Sequence, residues 1–184
     1  MKNKEWCIYT YKHRLAFKYV AERLIKNDEL LEEILKRRLT HDLDKQLMYL
    51  FLEWDECIEY HITHRPHHLE CPGEKSYEDL VEMVIDFECS PYTKPDKPLN
   101  AFDFVTLLKN NNQIESETAE RLFDIMHDLG IDKSYDVTKE EQCVRFLNSI
   151  PPVTEEMILS EVRDYIESGV KEEMAFILKK LIQG

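Results

Sequence analysis

The stretch that decides the fold is WCIYTYKHRLAFKYVAERLIK, residues 6–26. Its apolar side chains recur at steps of three and four residues, which is the spacing of one face of an α-helix. They are Tyr9, Leu15, Ala16, Tyr19, Val20, Leu24 and Ile25. We therefore predict an amphipathic helix that buries this face, with His13 on the same apolar stripe.

The same periodicity predicts an all-α fold for the rest of the chain. The predicted helices cover residues 28–39, 45–63, 76–88, 100–110, 115–129, 139–149, 154–168 and 170–182. Only four glycines and seven prolines occur, which suits long helices better than a many-stranded sheet. Phe51, Trp54 and Phe87 are expected in the core. The expected capping residues are Asp28, Ser76 with Asp79, Thr138 and Thr154.

Composition narrows the class of partner. The formal net charge of −13 disfavours a nucleic acid duplex, because binding a duplex needs clustered Lys and Arg. No apolar run approaches the roughly 18 residues of a membrane span. The five cysteines form no CxxC pair, and residues 1–7 lack the apolar run of a secretory signal. We therefore expect reduced thiols and a cytoplasmic protein.

The polar chemistry is concentrated in the first half, where six of the seven histidines precede residue 70. Adjacent side chains on a regular helix diverge by about 100°, so His41 and Asp42 can face one ion only at a helix junction. Asp86 lies in an apolar helix, where a carboxylate is costly to bury unless a cation or hydrogen bonds receive it. With His13, these residues predict a site for a divalent ion such as Mn, Fe, Co, Ni or Zn. The alternatives are a helix cap at Asp42 and hydrogen-bonded core residues at His13 and Asp86.

The order His13, His41-Asp42 and Asp86 on successive helices resembles the HD-domain superfamily of metal-dependent phosphohydrolases. Lys45 matches a lysine that often follows the His-Asp pair in that superfamily, whereas Asp44 stands where a small residue is frequent. The closer similarity is to an uncharacterised bacterial and phage branch, through the histidine-rich YHITHRPHH, residues 60–68, and the acidic helix segment EMVIDF, residues 82–87. The resemblance covers about residues 10–130.

The resemblance implies an HD-domain-like helical core over residues 1–130. A C-terminal helical extension over residues 131–184 would pack on this core or mediate association, which leaves a homodimer open. The substrate would be a small phosphorylated metabolite, most often a nucleotide. A bound ion would lower the pKa of a water that attacks phosphorus. The implied metal ligands are His13, His41, Asp42 and Asp86.

The resemblance also implies roles for residues around the ion. Asp42 would orient the nucleophile as well as bind metal, and Lys45 and Arg65 would neutralise phosphate charge; Lys45 is otherwise an ordinary solvated lysine. His64, His67 and His68 would ligate a second ion, protonate a leaving group or line the entrance. The loop at residues 94–97 would be a flap that contacts substrate.

Three alternatives remain at this stage. The chain can be a non-catalytic helical interaction protein with a structural or vestigial metal, or a helical hydrolase or transferase with a metal triad of histidines alone. A structural zinc site from Cys57, His61, His64 and Cys71 matches no standard finger spacing. The second His-Asp dipeptide, His127-Asp128, is expected at the surface.

Overall fold

The computed structural model describes residues 2–94 and 99–183, which form helices and loops without a β-strand. The predicted all-α class is therefore confirmed. A 3₁₀ turn at Ser90–Tyr92 follows the fifth helix. The helices are α1 Lys4–Leu24, α2 Asp28–Arg38, α3 Leu43–Met48, α4 Trp54–His64, α5 Tyr77–Cys89, α6 Ala101–Asn110, α7 Ser116–Asp128, α8 Val137–Ser149, α9 Glu155–Glu167 and α10 Lys171–Gln183.

The single helix predicted over residues 45–63 is wrong, because the chain turns between α3 and α4. Glu53 begins α4 with a capping box, in which the Glu56 carboxylate accepts from the backbone N–H of Glu53 at 3.3 Å. These contacts satisfy amide groups that a new helix start would otherwise leave unpaired. Phe51 and Trp54 flank this turn and are 41% and 43% exposed, so their predicted core positions are also wrong. Phe87 does pack against the core.

Two of the predicted capping residues are displaced from the actual caps. Asn27, rather than Asp28, accepts a hydrogen bond from Leu30 N at the start of α2. Asp136, rather than Thr138, does the same for Lys139 N at the start of α8. In each case another good capping residue lies upstream of the predicted cap. That residue has an extended backbone, and the helix begins directly after it. The predicted caps at Ser76 and Thr154 are confirmed.

The largest hydrophobic cluster surrounds α5, which contacts α1, α2, α6 and α7. Its residues from Leu80 to Ile85 are almost all fully buried, although Glu82 is among them. The buried face of α1 that joins this cluster comprises Ala16, Phe17, Val20 and Ala21. Because α5 is enclosed by apolar neighbours, any polar side chain it carries must find its partners inside the protein.

A second hydrophobic cluster joins the C-terminal helices to the N-terminal part of the chain. Leu47 and Met48 of α3 pack in it with Ile158 of α9 and Ile177 of α10. Cys143 and Phe146 of α8 belong instead to the first cluster. Helices α8 to α10 thus bury apolar surface against earlier helices, and the boundary between residues 130 and 131 stays a prediction.

No helix in residues 2–94 or 99–183 is both long and apolar enough to cross a membrane. The five cysteines are free thiols, and four of them are buried. Cys7 and Cys57 belong to the second cluster, and Cys89 and Cys143 to the first. These thiols therefore pack as small apolar side chains.

Candidate metal centre

The site is built on the junction between α2 and α3. Asp42 adopts a left-handed backbone conformation, with φ 61° and ψ 2°, which is uncommon for a residue with a side chain but tolerated by aspartate. Strain of this kind costs on the order of 1–3 kcal/mol. The bend lets His41 and Asp42 both face the interior, where each is almost fully buried. The Asp42 side chain makes no capping hydrogen bond, so the alternative of a helix cap is not supported.

A buried arginine holds this junction in place. Arg14 of α1 donates from Nε to the His41 carbonyl at 2.8 Å. Its Nη2 donates to two carbonyls at the end of α2. Its Nη1 forms an ion pair with Glu161 of α9. Carbonyl groups at the end of a helix lack partners within the helix. Arg14 supplies those partners and so supports the strained turn.

The four predicted ligands converge; we call His13, His41, Asp42 and Asp86 the first ligand set. His13 Nε2 lies 2.6 Å from Asp86 Oδ1 and 3.7 Å from Asp42 Oδ2. His41 Nε2 lies 3.6 Å from Asp86 Oδ1 and 4.0 Å from Asp42 Oδ1. Two imidazoles and two carboxylates therefore face one small volume, and such a donor set can hold a metal ion.

Three more histidines meet beside the first set; we call His61, His67 and His68 the second ligand set. Their candidate ligand atoms all lie within 4.8 Å of one another. His61 Nε2 is 2.8 Å from His68 Nε2 and 3.1 Å from Asp42 Oδ1. The Asp42 carboxylate thus lies between the two sets.

Buried carboxylates orient three of these imidazoles. Glu82 Oε1 accepts from Nδ1 of His41 at 3.0 Å and lies 3.2 Å from Nδ1 of His67. Asp44 accepts from Nδ1 of His61 at 2.9 Å. A proton held on Nδ1 leaves the Nε2 lone pair for a metal, and this support by a carboxylate is common around metal-binding histidines.

Two of these Nε2 atoms provide a direct test of whether a cation fits. Nε2 of His41 and Nε2 of His67 are buried and have no hydrogen-bond partner in the described part of the chain. A buried polar atom without a partner costs about 1–3 kcal/mol. A divalent cation at each ligand set would satisfy the Nε2 atom of that set, so the residues present fit a metal.

The electrostatics of the site also favour a cation. Burial alone raises the pKa of Asp42 and Asp86. Lys45, His41 and His61 outweigh burial at Asp42, and His13 and His41 outweigh it at Asp86, so both pKa values lie well below the usual range. Burial lowers the pKa of His41, but Asp42, Asp86 and Glu82 outweigh it and raise that pKa to about 10. The carboxylates therefore retain a proton on His41 until another cation replaces it.

The second ligand set differs in its protonation. Burial lowers the pKa of His67, and burial together with His61 and His67 lowers the pKa of His68 to about 2. Both imidazoles are therefore neutral at physiological pH, which is the form that binds metal. A histidine with so low a pKa is a poor proton donor, so His68 suits the role of a ligand better than that of an acid.

A cavity of about 360 Å³ opens onto both ligand sets. His13 and Asp86 of the first set line it, as does His68 of the second. Lys45 also lines it, is only 14% exposed and pairs with Asp42 Oδ2 at 2.8 Å, so it is not an ordinary solvated lysine. The remaining lining residues are Tyr9, Phe87, Ser90, Lys94, Leu99 and Phe104.

Two of the predicted site residues do not join the ligand sets. His64 is exposed, donates from Nδ1 to the Tyr60 carbonyl at 2.8 Å and stacks on the Tyr60 ring. Arg65 is held by Asp44 and by Glu173 of α10. Neither residue lines the cavity of about 360 Å³ that opens onto the ligand sets. The expected roles of His64 as a ligand or proton donor, and of Arg65 as a phosphate contact, therefore lack geometric support.

Three further predictions concern the second His-Asp dipeptide, the alternative zinc site and the flap. His127 and Asp128 are 84% and 73% exposed, as expected for a surface dipeptide. The alternative zinc site, with its two cysteines and two histidines, does not form a ligand cluster in the described residues. Lys94 of the predicted flap lies over the Tyr9 ring at 5.0 Å, whereas residues 95–97 lie outside the described residues.

Glu82 is a site residue that the sequence interpretation missed. It lies one helical turn before Asp86 on α5, so both carboxylates face the same side of the helix. That i, i+4 spacing within an apolar helix is a signal that was available in the sequence. Asp44 departs from the HD-domain pattern, and the structure gives this departure a partner, because Asp44 contacts His61 and Arg65.

Comparison of the chain with protein-family models, curated proteins and solved structures finds no match. The resemblance to the HD-domain superfamily therefore remains a hypothesis that rests on the residues of this chain.

Proposed function

We propose that the chain is a metal-dependent phosphohydrolase that acts on a small phosphorylated metabolite, with a nucleotide as the expected substrate. The observation that carries the proposal is the position of Asp42 between the imidazoles of two ligand sets. Residues of both sets line an open cavity. A carboxylate shared by two ions is suited to hydrolysis of phosphate esters and anhydrides, which often uses paired metals.

The donor set suits Mn, Fe, Co, Ni or Zn, because imidazole and carboxylate are ligands of these ions. When bound, such ions lower the pKa of a water and screen the charge of phosphoryl oxygens. Glu82 and Asp44 hold the imidazoles in the tautomer that ligation requires. The second ion is proposed for the second ligand set, with Asp42 shared.

The cavity supports a phosphorylated substrate with an apolar group. Burial lowers the pKa of Lys45, but Asp42 and Asp86 outweigh it and raise that pKa, so Lys45 stays charged and can face a phosphate. Tyr9, Phe87 and Phe104 supply aromatic wall, against which a nucleobase can stack. The volume of about 360 Å³ lies within the range typical of small-molecule sites.

The test is elemental analysis of the purified protein, followed by a phosphate-release screen over nucleotides with that metal restored. His41→Ala and Asp86→Ala are expected to lose both metal and activity. His127→Ala is the matched control, because it alters the exposed second His-Asp dipeptide and should retain both. The proposal fails if His41→Ala and Asp86→Ala keep full metal content and activity.

The alternative of a non-catalytic protein with a structural metal makes a different prediction. A structural site is closed by protein ligands, whereas here a cavity reaches His13, His68 and Asp86. Stoichiometric metal without phosphate release from any nucleotide would favour the alternative, and a partner recovered with the full chain would then be sought.

A further inference from the structure

We propose that Glu173 of α10 is a positioning residue for the second ligand set, acting on His61 through Arg65 and Asp44. The inference rests on the proposed function, because it requires a second ion at His61, His67 and His68. It gives the C-terminal helices a role in metal binding, although none of the proposed metal ligands lies on them.

The chain of contacts begins on the C-terminal helices. Glu173 is 6% exposed, and its Oε1 accepts from the Tyr165 hydroxyl of α9 at 3.0 Å and from Arg65 Nη2. Arg65 Nη2 also donates to the Tyr165 hydroxyl at 3.1 Å. One end of the guanidinium is therefore fixed by residues of α9 and α10.

The other end of the guanidinium leads to the metal site. Arg65 Nε donates to Asp44 Oδ2 at 2.7 Å, and Asp44, which is fully buried, accepts from His61 Nδ1 at 2.9 Å. His61 Nε2 then faces His68 Nε2 and Asp42 Oδ1. The orientation of a proposed ligand is thus connected to α10 by three consecutive polar contacts.

Charge explains why Glu173 matters to a residue it does not touch. Arg65 carries one positive charge and lies between two carboxylates, those of Asp44 and Glu173. A planar guanidinium held at both ends keeps a fixed direction. Without the Glu173 charge, Arg65 can turn toward Asp44 or solvent, and the Asp44 oxygen that orients His61 loses its fixed position.

A merely structural ion-pair network would also explain these contacts, by holding α10 on the core. The two roles differ in what they predict for metal. A structural role predicts lower stability of the metal-free protein with unchanged metal affinity. A positioning role predicts selective weakening of the second ion, because only the second ligand set contains His61.

The experiment is a Co²⁺ titration of the full-length, metal-free protein, followed by absorption and by calorimetry. The wild type is expected to bind two ions. Glu173→Gln keeps the shape and removes the charge, and it should retain the first ion while weakening the second by up to about 10-fold, the lower end of the effect of losing a partner bonded to the ligand itself. Tyr165→Phe, which keeps the ring, should weaken the second ion in the same direction but less.

Lys180→Gln is the matched control, because it removes a different ion pair of α10, with Glu56 at 3.1 Å. It should leave both ions unchanged. A wild type that binds a single ion overturns the two-ion part of the proposed function and this inference with it. A wild type that binds two ions, with folded Glu173→Gln and Tyr165→Phe binding both equally well, overturns the positioning role alone.

Discussion

At the scale of single residues, the site depends on an unusual backbone at Asp42. The left-handed conformation lets the side chains of His41 and Asp42 face the same buried region. Arg14 stabilises the turn by donating a hydrogen bond to the His41 carbonyl. Asp42 then faces His13 on one side and His61 on the other. A residue in strained backbone between two sets of imidazoles is typical of a functional position rather than of ordinary packing.

Asp42→Asn is predicted to weaken both proposed ions, because the shared carboxylate loses its charge. Asparagine tolerates the left-handed conformation, so the backbone should be preserved. His13→Ala should weaken the first ion alone, and His67→Ala the second alone. Metal titration of the three variants checks this pattern. Equal loss of both ions in all three variants would argue against two separate positions.

At the scale of elements, α5 organises the site. Its apolar residues pack on four other helices, while Glu82 and Asp86 share one face. Glu82 supports His41 and His67, and Asp86 contacts His13 and His41. The start of α5 is also tied to α2, since Asp79 accepts from Arg37 Nη1 at 2.6 Å.

The N-terminus of α5 predicts a pH-dependent contribution to stability. Burial raises the pKa of Asp79, but hydrogen bonds from Arg37 and from Ser76 N outweigh burial and lower that pKa. A lowered pKa means that Asp79 stabilises the fold above its unfolded pKa of about 3.9 and loses this effect as pH falls through the folded value.

Asp79→Asn should therefore destabilise the metal-free protein by about 1 kcal/mol at pH 7, because the neutral amide weakens the ion pair with Arg37 and the hydrogen bond from Ser76 N. The difference from the wild type should shrink as pH falls below about 4. Urea denaturation at both pH values measures this, with Asp128→Asn, an exposed position, as the control. A difference that grows in acid would contradict the assignment.

At the scale of the whole molecule, the C-terminal helices are joined to the rest by apolar packing and by buried charges. Ile158 of α9 is fully buried in the second hydrophobic cluster, and α9 packs against α3. Glu161 pairs with Arg14, and Glu173 with Arg65. Both carboxylates hold arginines that support the site, so the extension and the site are expected to fold together.

Ile158→Ala is predicted to cost about 2–5 kcal/mol of unfolding free energy, because it leaves a cavity between α9 and α3. Leu159→Ala, at the next position and 39% exposed, should change stability by less than about 0.5 kcal/mol. Denaturant unfolding followed by two probes checks both values. Two separate transitions, with Ile158→Ala shifting one alone, would show that the C-terminal helices unfold independently.

Local pattern in the sequence determined the helical class and most helix positions, because the 3.6-residue period repeats within each segment. The costs of burying Asp86 and of aligning His41 with Asp42 also pointed to the first ligand set. Only the tertiary structure decided the break before α4 and the carboxylates that orient His61 and His67. It also decided the ion pair of Arg65 with Glu173, which lies 108 residues away. Such pairings depend on how helices pack, and periodicity within one segment carries no information about which distant side chain will face it.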